Sequence, residues 1–223
     1  MDILAIDIGG THIKFCTQRH PAIVKIKSGR KMTPQHMVEA IRAETAGWKY
    51  DHVSIGFPGP VVHNLPLREP FNLGKGWMKF RYDQAFANKP LRMINDAAMQ
   101  ALGSYEGGRM LFLGLGTGLG AAMVVDGIVQ AMEVAHLLWK KGKTYEDLLG
   151  LAGLQRMGRN KWEKQVLEAI TVLQVGLRCD SVVLGGGNAV LLKHPPKDVR
   201  IVPNSNAFEG GFRLWLPKHR SSR

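Results

Sequence analysis

An acid, two glycines, a hydroxyl and a lysine lie together in the first fourteen residues. Asp7 is near the end of an apolar run, and Gly9, Gly10, Thr11 and Lys14 follow it. A carboxylate in an apolar strand is costly to bury unless something pairs with it. Glycines let a backbone approach a ligand closely, so this turn would suit a phosphate and its metal ion. An ordinary Gly-Gly hairpin with exposed polar side chains is the alternative.

A second glycine-rich turn joins two predicted strands further along the chain. Residues 114–120 contain four glycines and Thr117, which is more flexibility than a simple hairpin needs. Backbone N–H groups around Gly116, Thr117 and Gly118 that wrap a phosphate are the simplest explanation. Because this turn repeats the design of the first, the two copies indicate a duplicated domain that faces a shared cleft.

Two further loops follow buried strands. At Gly185–Gly187 a nucleotide or phosphate chain could lie against the backbone, and close helix–strand packing is the alternative. The Gly56–Pro60 loop follows another strand, and loops in that position bind ligands in open α/β sheets. A plain Pro-Gly turn would also explain it.

Asp96 has two interpretations. A strand predicted at 91–94 ends at Asn95 and Asp96, and a helix is predicted at 97–102. Aspartate and asparagine often cap a helix N-terminus. A carboxylate at such a junction could instead serve as a general base.

Three other polar residues could contact a ligand. Asn72 lies in the irregular segment 66–79, which could line a pocket or be a surface excursion. Glu133 and His136 would face the same side of a helix, which allows metal ligation. Because the next cysteine is Cys179, a closed four-ligand zinc site lacks candidates nearby.

The elements that must position these residues alternate between strands and helices, which predicts an α/β fold. Strands are expected at 3–8, around 13–15, and at 22–26, 53–57, 91–94, 110–115, 121–125, 180–184 and 199–202. Helices are expected at 34–46, 83–87, 97–102, 160–177 and 206–215, with a basic, poorly ordered tail at 216–223. The segment 140–159 is basic and punctuated by glycines.

The composition favours an anionic partner. The 223 residues include 30 Lys and Arg against 18 Asp and Glu, a formal charge of +12. This excess fits phosphate chains, nucleic acid or an acidic surface. Two cysteines form neither a disulfide framework nor a zinc cluster, so the reducing cytoplasm is expected. With the first strand starting at the N-terminus and no apolar run of spanning length, no signal peptide and no membrane segment are predicted.

Six segments, in this order along the chain, together resemble the ROK sugar kinases. They are Asp7–Lys14, Gly56–Gly59, Asn95–Asp96, Leu115–Gly120, Glu133–His136 and Gly185–Gly187. The compact length and the segment Asn72-Leu73…Trp77 look most like the polyphosphate/ATP glucokinase branch. The resemblance runs from Met1 to about Gly211.

The resemblance implies an actin-like, hexokinase-like ATPase fold, with two α/β domains around a central cleft and often a homodimer. The expected domains are 1–95 with about 206–217, and 96–205. It also implies phosphoryl transfer from ATP or polyphosphate to a hexose, with Mg²⁺ near Asp7 and Asp96 as the base. The phosphate and nucleotide contacts would come from Asp7, Gly9, Gly10, Thr11, Lys14, Gly116, Thr117, Gly118, Gly185, Gly186 and Gly187. The sugar contacts would come from Gly59, Asn72, Asn95, Glu133 and His136.

Two departures from the family pattern matter. Ala135 replaces a glycine often found there, and its methyl group could narrow the sugar site. The cysteine-rich zinc motif of many members is absent after His136, so no structural zinc is predicted. The alternatives are a sugar-binding regulator, which would carry a preceding DNA-binding segment, a basic nucleic-acid-binding protein, and an inactive scaffold. Three phosphate-type turns and the intact Asp7, Lys14 and Asp96 favour the kinase, and make a nucleic-acid partner unlikely.

The basic stretch after the sugar segment leads to the hypothesis that polyphosphate can replace ATP as the donor. A chain of phosphates is held by many weak contacts, so its binding should weaken steeply with salt. The basic stretch after the sugar segment could supply such contacts, with a solvated positive face as the alternative. Its cations are Lys140, Lys141, Lys143, Arg156, Arg159, Lys161 and Lys164.

Overall fold

The structure is a computed structural model that describes residues 1–216. The described chain forms two compact units. The N-terminal unit contains Met1–Met99 and Ala207–Leu216, and the C-terminal unit contains Gln100–Asn206. Beyond residue 216, the predicted basic tail lies outside the described residues. No helix in residues 1–216 has both the length and the apolar character to cross a membrane.

Each unit is built on a five-stranded sheet. The strands are β1 (Ile3–Ile8), β2 (His12–Cys16), β3 (Val24–Lys27), β4 (His52–Phe57), β5 (Val61–Val62), β6 (Leu65–Pro66), β7 (Leu91–Asn95), β8 (Arg109–Leu115), β9 (Leu119–Val125), β10 (Ile128–Met132), β11 (Leu138–Lys140), β12 (Lys143–Thr144), β13 (Ser181–Gly185) and β14 (Val199–Ile201). The helices are α1 (Pro34–Glu44), α2 (Tyr82–Ala85), α3 (Asp96–Ser104), α4 (Tyr145–Leu149), α5 (Leu151–Met157), α6 (Arg159–Gly176) and α7 (Asn206–Arg213). Short 3-10 helices cover Val134–His136 and Ala189–Leu191.

The sheet of the N-terminal unit has the order β3-β2-β1-β4-β7. Strands β1, β2 and β3 pair antiparallel, whereas β1, β4 and β7 run parallel. One face buries Ile6, Ile13 and Phe15 in a core shared with Met37 and Ile41 of α1. Helix α1 begins where the sequence predicts, because the Thr33 hydroxyl accepts from the His36 N–H and Pro34 follows the cap.

Helix α7 covers part of the opposite face of this sheet. The Ser54 hydroxyl on β4 donates to the Gly211 carbonyl at 2.6 Å and accepts from the Trp215 indole N–H at 2.9 Å. A Cβ at Gly211 would lie 2.8 Å from the Ala5 Cβ, so glycine permits this close approach. Phe208 packs against Ala5 and Cys16. The C-terminal helix therefore completes the N-terminal unit.

The sheet of the C-terminal unit has the order β10-β9-β8-β13-β14 and repeats the topology of the first. Three strands pair antiparallel and the next two continue parallel, as the repeated glycine turns predict. Asp126 and Gly127 make the β9–β10 turn with φ angles of 51° and 73°. Helix α6 buries Trp162, Val166 and Ile170 against this sheet.

Several segments differ from the sequence-based expectation, since β5, β6, β10 and β11 were not among the expected strands. The segment 140–159, which the sequence shows only as basic and punctuated by glycines, forms β12, α4 and α5. Thr144 and Asp147 form a reciprocal capping box that starts α4. The third strand begins at Val24 rather than residue 22, because it pairs with β2 only from Val24 onward.

Candidate active site

The parallel strands of the N-terminal unit bring three of the predicted segments to one edge of the sheet. Asp7 of β1 lies opposite Gly56 of β4, and Phe57 of β4 lies opposite Asn95 of β7. The carboxyl ends of parallel strands are where open α/β sheets bind ligands. Local pairing therefore places Asp7, the Gly56–Gly59 loop and Asn95 side by side.

Asp7 and Lys14 form the charged centre of this edge. They are direct partners across β1 and β2, and the Lys14 Nζ lies 3.7 Å from the Asp7 Oδ2. The Asp7 side chain is 17% exposed and the Lys14 side chain 29% exposed. Burial raises the pKa of Asp7, and the nearby Lys14 ammonium opposes that rise only in part. The Asp7 carboxylate thus lies where additional positive charge would stabilise it.

The glycine turn beside this pair is held closely against its surroundings. The Gly9 N–H donates to the His12 carbonyl at 3.0 Å, and a Cβ at Gly9 would lie 2.7 Å from that oxygen. A Cβ at Gly10 would lie 2.9 Å from the Cβ of Asn72. The fold therefore brings Asn72, from the long irregular segment, onto the first glycine turn.

Asn95 links the sheet edge to two neighbouring segments. Its side-chain N–H donates to the Gly59 carbonyl at 3.2 Å, and its Oδ1 accepts from the Ala98 N–H at 3.0 Å. The second contact is the bond an N-cap residue makes, so Asn95 caps α3. Asp96 is the first residue of α3 and is half-buried, with its Oδ1 accepting from the Ala97 N–H at 2.8 Å.

Close packing of α3 on β4 fixes the position of Asp96. An ideal Cβ at Gly56 would meet the Met99 Cε at 2.5 Å and the Asp96 Cα at 3.4 Å. A larger residue at position 56 would therefore require the end of the Met99 side chain to move. The predicted base is therefore held by a helix start that is itself packed on the sheet.

The second glycine turn lies between β8 and β9 of the C-terminal unit. The Gly116 N–H donates to the Gly118 carbonyl at 3.1 Å, and the Leu151 N–H donates to the carbonyls of Gly116 and Thr117. The Glu146 carboxylate accepts from the Leu119 N–H at 3.1 Å and lies against Gly118. The start of α5 and the first turn of α4 therefore fix this loop.

The third glycine turn packs on the second. Gly186 has a φ of 82°, and a Cβ there would overlap the Leu115 carbonyl. The Asn188 side chain donates to the Gly116 carbonyl at 2.9 Å. The structure thus brings Gly185–Gly187 and Gly116–Gly118 together. Gly186 is packed closely, but against the loop after β8 and not between a helix and a strand as the alternative interpretation expects.

In the C-terminal unit, Glu133 directly precedes the short 3-10 helix and His136 is its last residue. The His136 Nε2 lies 3.4 Å from the Glu133 Oε2, and the His136 and Glu133 side chains are 64% and 60% exposed. Ala135 between them is buried. Within residues 1–216, no group of three or more His, Cys, Asp or Glu side chains is arranged to hold a metal ion.

Two residues beside the glycine turns were missed by the sequence analysis. Glu146 and Asn188 both contact the loop that carries Gly116–Gly118. The spacing of Thr144 and Asp147 before an apolar run signals a helix start and could have placed Glu146 in its first turn. No local signal shows which loop the Glu146 side chain reaches.

Several cations of the basic stretch are engaged in structural contacts. Lys140 pairs with Glu168 and lies over the Trp139 ring. Arg156 donates to the Asp147 carbonyl at 2.7 Å, and Arg159 donates to the Leu191 carbonyl at 2.6 Å. Lys141, Lys143, Lys161 and Lys164 are exposed.

Solved structures define the class of fold. The ROK-family glucokinase of Streptomyces griseus, solved with glucose and AMPPNP, superposes with a TM-score of 0.75 at 16% identity over 96% of this chain and 99% of that one. The inorganic polyphosphate/ATP-glucomannokinase of Arthrobacter sp. strain KM superposes with a TM-score of 0.74 at 23% identity over 94% and 96% of the two chains. The protein has the actin-like, hexokinase-like ATPase fold of the ROK kinases.

The sequence comparison is more specific. The polyphosphate glucokinase of Mycobacterium tuberculosis is 25% identical over 210 residues, which cover 82% of this chain and 76% of the relative. No family model matches the chain. The predicted resemblance to ROK sugar kinases, and among them to the polyphosphate/ATP glucokinases, is confirmed.

Proposed function

We propose that this protein is a hexose kinase that transfers a phosphoryl group from ATP or polyphosphate to a sugar hydroxyl, with glucose converted to glucose 6-phosphate. One observation carries the proposal. A half-buried carboxylate–lysine pair, a glycine turn and an Asn-Asp helix start meet at the carboxyl edge of one sheet. The names of the relatives support the same activity.

The glycine turns would position the donor. Phosphoryl transfer requires mainly alignment and stabilisation of charge on the transferred group. Backbone N–H groups of Gly10, Thr11, Thr117 and Gly118 can donate to phosphate oxygens, and Lys14 supplies a cation. The N–H groups of Gly9 and Gly116 donate within their own turns and would hold the turns in shape. Gly185–Gly187 would border the nucleoside end of ATP.

The residues around Asp7 fit a magnesium ion. The Asp7 carboxylate is largely buried, and the Lys14 ammonium at 3.7 Å neutralises it only in part. Mg²⁺ typically takes one or two carboxylates and otherwise phosphate and water ligands, so a complete protein cage is unnecessary. Asp7 would hold the ion directly or through water. When bound, the ion would neutralise charge on the donor phosphates.

The sugar would be held by polar side chains and activated by Asp96. Asn72, Asn95, Glu133 and His136, with the Gly59 backbone, can pair with hydroxyl groups. A site built this way discriminates among sugars because an unmatched polar group would remain unpaired. Asp96 would accept the proton of the attacking hydroxyl. We also propose that the protein contains no structural zinc ion.

Three further properties belong to the proposal. A homodimer is proposed, and its mass in solution is the test.

The domain division proposed is 1–95 with about 206–217, and 96–205. The two thiols, Cys16 and Cys179, are buried and free, and this supports the reducing cytoplasm as the location.

A donor-by-sugar panel tests the function. Purified protein with Mg²⁺ is assayed with ATP and with polyphosphate against glucose, mannose, fructose and N-acetylglucosamine, and the phosphorylated sugar is measured. We expect glucose 6-phosphate to form. Sugar binding without product would favour a kinase-like regulator. DNA binding that weakens with salt, without product, would favour a nucleic-acid-binding protein.

A further inference from the structure

Strands β2 and β3 present a row of basic side chains that, apart from Lys14, the proposed catalytic site does not use. Lys14 lies directly opposite Lys25, and His12 lies directly opposite Lys27. Lys25, Lys27 and His12 are exposed. We call these four residues the basic ladder.

The basic ladder shares a sheet face with Asp7. Asp7, Lys14 and Lys25 are cross-strand neighbours in one row over β1, β2 and β3. The alternate residues Ile13, Phe15, Val24 and Ile26 pack into the core on the other face. Since neighbouring strands lie about 4.8 Å apart, the ladder extends from the Asp7 carboxylate to the sheet edge in short steps.

The charge of this ladder is unbalanced. Within the described part of the chain, Asp7 is the one carboxylate within 4.0 Å of a ladder nitrogen, and its partner is Lys14. Like charges placed directly opposite on a sheet destabilise it. Lysines on an edge strand can deter edge-to-edge association, which would account for Lys25 and Lys27. That explanation does not cover Lys14 and His12, because β2 is an interior strand.

The ladder also begins at the first glycine turn. His12 directly follows the turn, and the Thr11 carbonyl accepts from the Ser28 N–H at 2.8 Å just beyond β3. A phosphate held by the turn would therefore lie next to His12 and Lys27. ATP presents three phosphates to such a turn, whereas polyphosphate continues as a chain of regularly spaced anions.

We propose that the basic ladder binds the distal phosphates of a polyphosphate donor whose terminal phosphate lies at the Gly9–Thr11 turn. This inference rests on the proposed kinase function and names the surface that would hold the donor chain. It places chain binding on β2 and β3, rather than on the basic stretch at 140–164. Exposed lysines on a polyanion give many weak, salt-sensitive contacts.

The test compares two pairs of substitutions that remove equal charge. Lys25→Gln/Lys27→Gln removes the exposed lysines of the ladder, and Lys49→Gln/Lys197→Gln removes two exposed lysines from loops elsewhere. Binding of a long-chain polyphosphate is measured directly, without sugar, in the Asp96→Asn background, so turnover is not required. KM values for polyphosphate and for ATP are measured with Asp96 intact.

We expect the ladder variant to raise the Kd and KM for long-chain polyphosphate about tenfold at low salt, with the ATP KM within about twofold. The slope of log Kd against log salt should fall in magnitude by roughly 1.4–1.8 units, which is about 0.7–0.9 for each lysine removed. The control variant should match the unsubstituted protein. Unfolding midpoints of the ladder variant should not fall, because like-charge repulsion is relieved.

Three results would overturn the inference. Unchanged polyphosphate binding in the ladder variant would leave edge protection as the role of these lysines. An equal loss of polyphosphate affinity in the control variant would show that binding depends on the net charge of the protein and not on the position of the ladder. Tighter ladder-dependent binding of a single-stranded oligonucleotide than of polyphosphate would identify a different ligand. If neither donor gives product, the kinase function fails, and the binding measurement still decides the ladder separately.

Discussion

The Lys14 ammonium lies 3.7 Å from the Asp7 carboxylate, and the two residues are direct partners across β1 and β2. This separation is longer than a good charge-assisted hydrogen bond, which is about 2.7–2.9 Å. The pair therefore leaves much of the charge of the buried Asp7 unneutralised. Such an arrangement is expected where a ligand, rather than the protein, completes the electrostatics.

We expect Asp7→Asn to abolish most activity without loss of stability. Burial raises the pKa of Asp7, so the folded protein disfavours the charged carboxylate relative to a neutral side chain of the same shape. The unfolding free energy at neutral pH should be unchanged or higher, while kcat falls by on the order of a hundredfold or more. Chemical denaturation and steady-state kinetics measure the two effects. Asp83→Asn, an exposed site paired with Arg81, should keep full activity.

Asp96→Asn should retain the fold and sugar affinity but lower kcat by on the order of a hundredfold or more, the usual scale for a general base. The capping bond to the Ala98 N–H comes from Asn95, so this helix start should survive the change. Circular dichroism, sugar binding and turnover should be measured on the same preparation. Near-normal turnover would remove Asp96 from the chemistry.

Glu133→Ala and His136→Ala should raise the sugar KM far more than the donor KM. Both side chains are more than half exposed, so the unfolding free energy should change by no more than about 0.5 kcal/mol. Matched kinetics with saturating sugar or saturating donor separate the two KM values. Metal analysis completes the test, since stoichiometric zinc lost on His136→Ala would contradict the prediction of a zinc-free protein.

The ionised carboxylate of Glu163 should make the folding stability of the C-terminal unit sensitive to acid. Burial would raise the pKa of this carboxyl group, but backbone N–H donors from His194 and Lys193, at 2.8 and 2.7 Å, hold it below the ordinary value. A lowered pKa in the folded state adds stability above the unfolded-state pKa, and this stability is lost as pH falls through the folded pKa. Relative to Glu163→Gln, the unsubstituted protein should be more stable by about 1 kcal/mol at pH 7.

That advantage should shrink on acidification and disappear below both pKa values. Thermal midpoints of the unsubstituted protein and of Glu163→Gln between pH 7 and pH 2 measure it. Glu168→Gln on the same helix is the matched control, because Glu168 is half-exposed and pairs with Lys140 on the surface. A stability advantage of the unsubstituted protein over Glu163→Gln that grows toward acid would contradict the assigned direction of the shift.

The sequence predicted most elements because their signals are local. Apolar runs specified β1 and β8, Thr33-Pro34 specified the start of α1, and Asp126-Gly127 specified the β9–β10 turn. These positions follow from hydrophobic periodicity and turn chemistry, which need no knowledge of distant contacts.

What the sequence could not provide is contact between distant segments. Asn72 packs on Gly10, 62 positions away in the chain. Glu146 packs on Gly118, 28 positions away. The basic ladder likewise depends on the register between β2 and β3. Tertiary packing sets such contacts, and neither composition nor spacing reveals them.

Gly10 and Asn72 provide the final prediction, because their contact joins the first phosphate turn to a predicted sugar residue. A Cβ at Gly10 would lie 2.9 Å from the Asn72 Cβ, so Gly10→Ala must displace one of them. We expect Gly10→Ala to raise the KM for donor and for sugar together. Asn72→Ala should raise mainly the sugar KM, since it removes polar contacts and leaves the turn intact.

The double variant shows whether the two residues act through this contact. Both alanine Cβ atoms remain in the double variant, so the crowding persists while the displaced amide is already gone. The combined loss in kcat/KM for sugar should therefore be smaller than the sum of the single losses, by about 1 kcal/mol of coupling. Gly176→Ala, at an exposed position with open space around its Cβ, is the control for a general effect of removing a glycine. Strictly additive losses would show that Gly10 affects the donor turn alone and that Asn72 contacts the sugar independently of it.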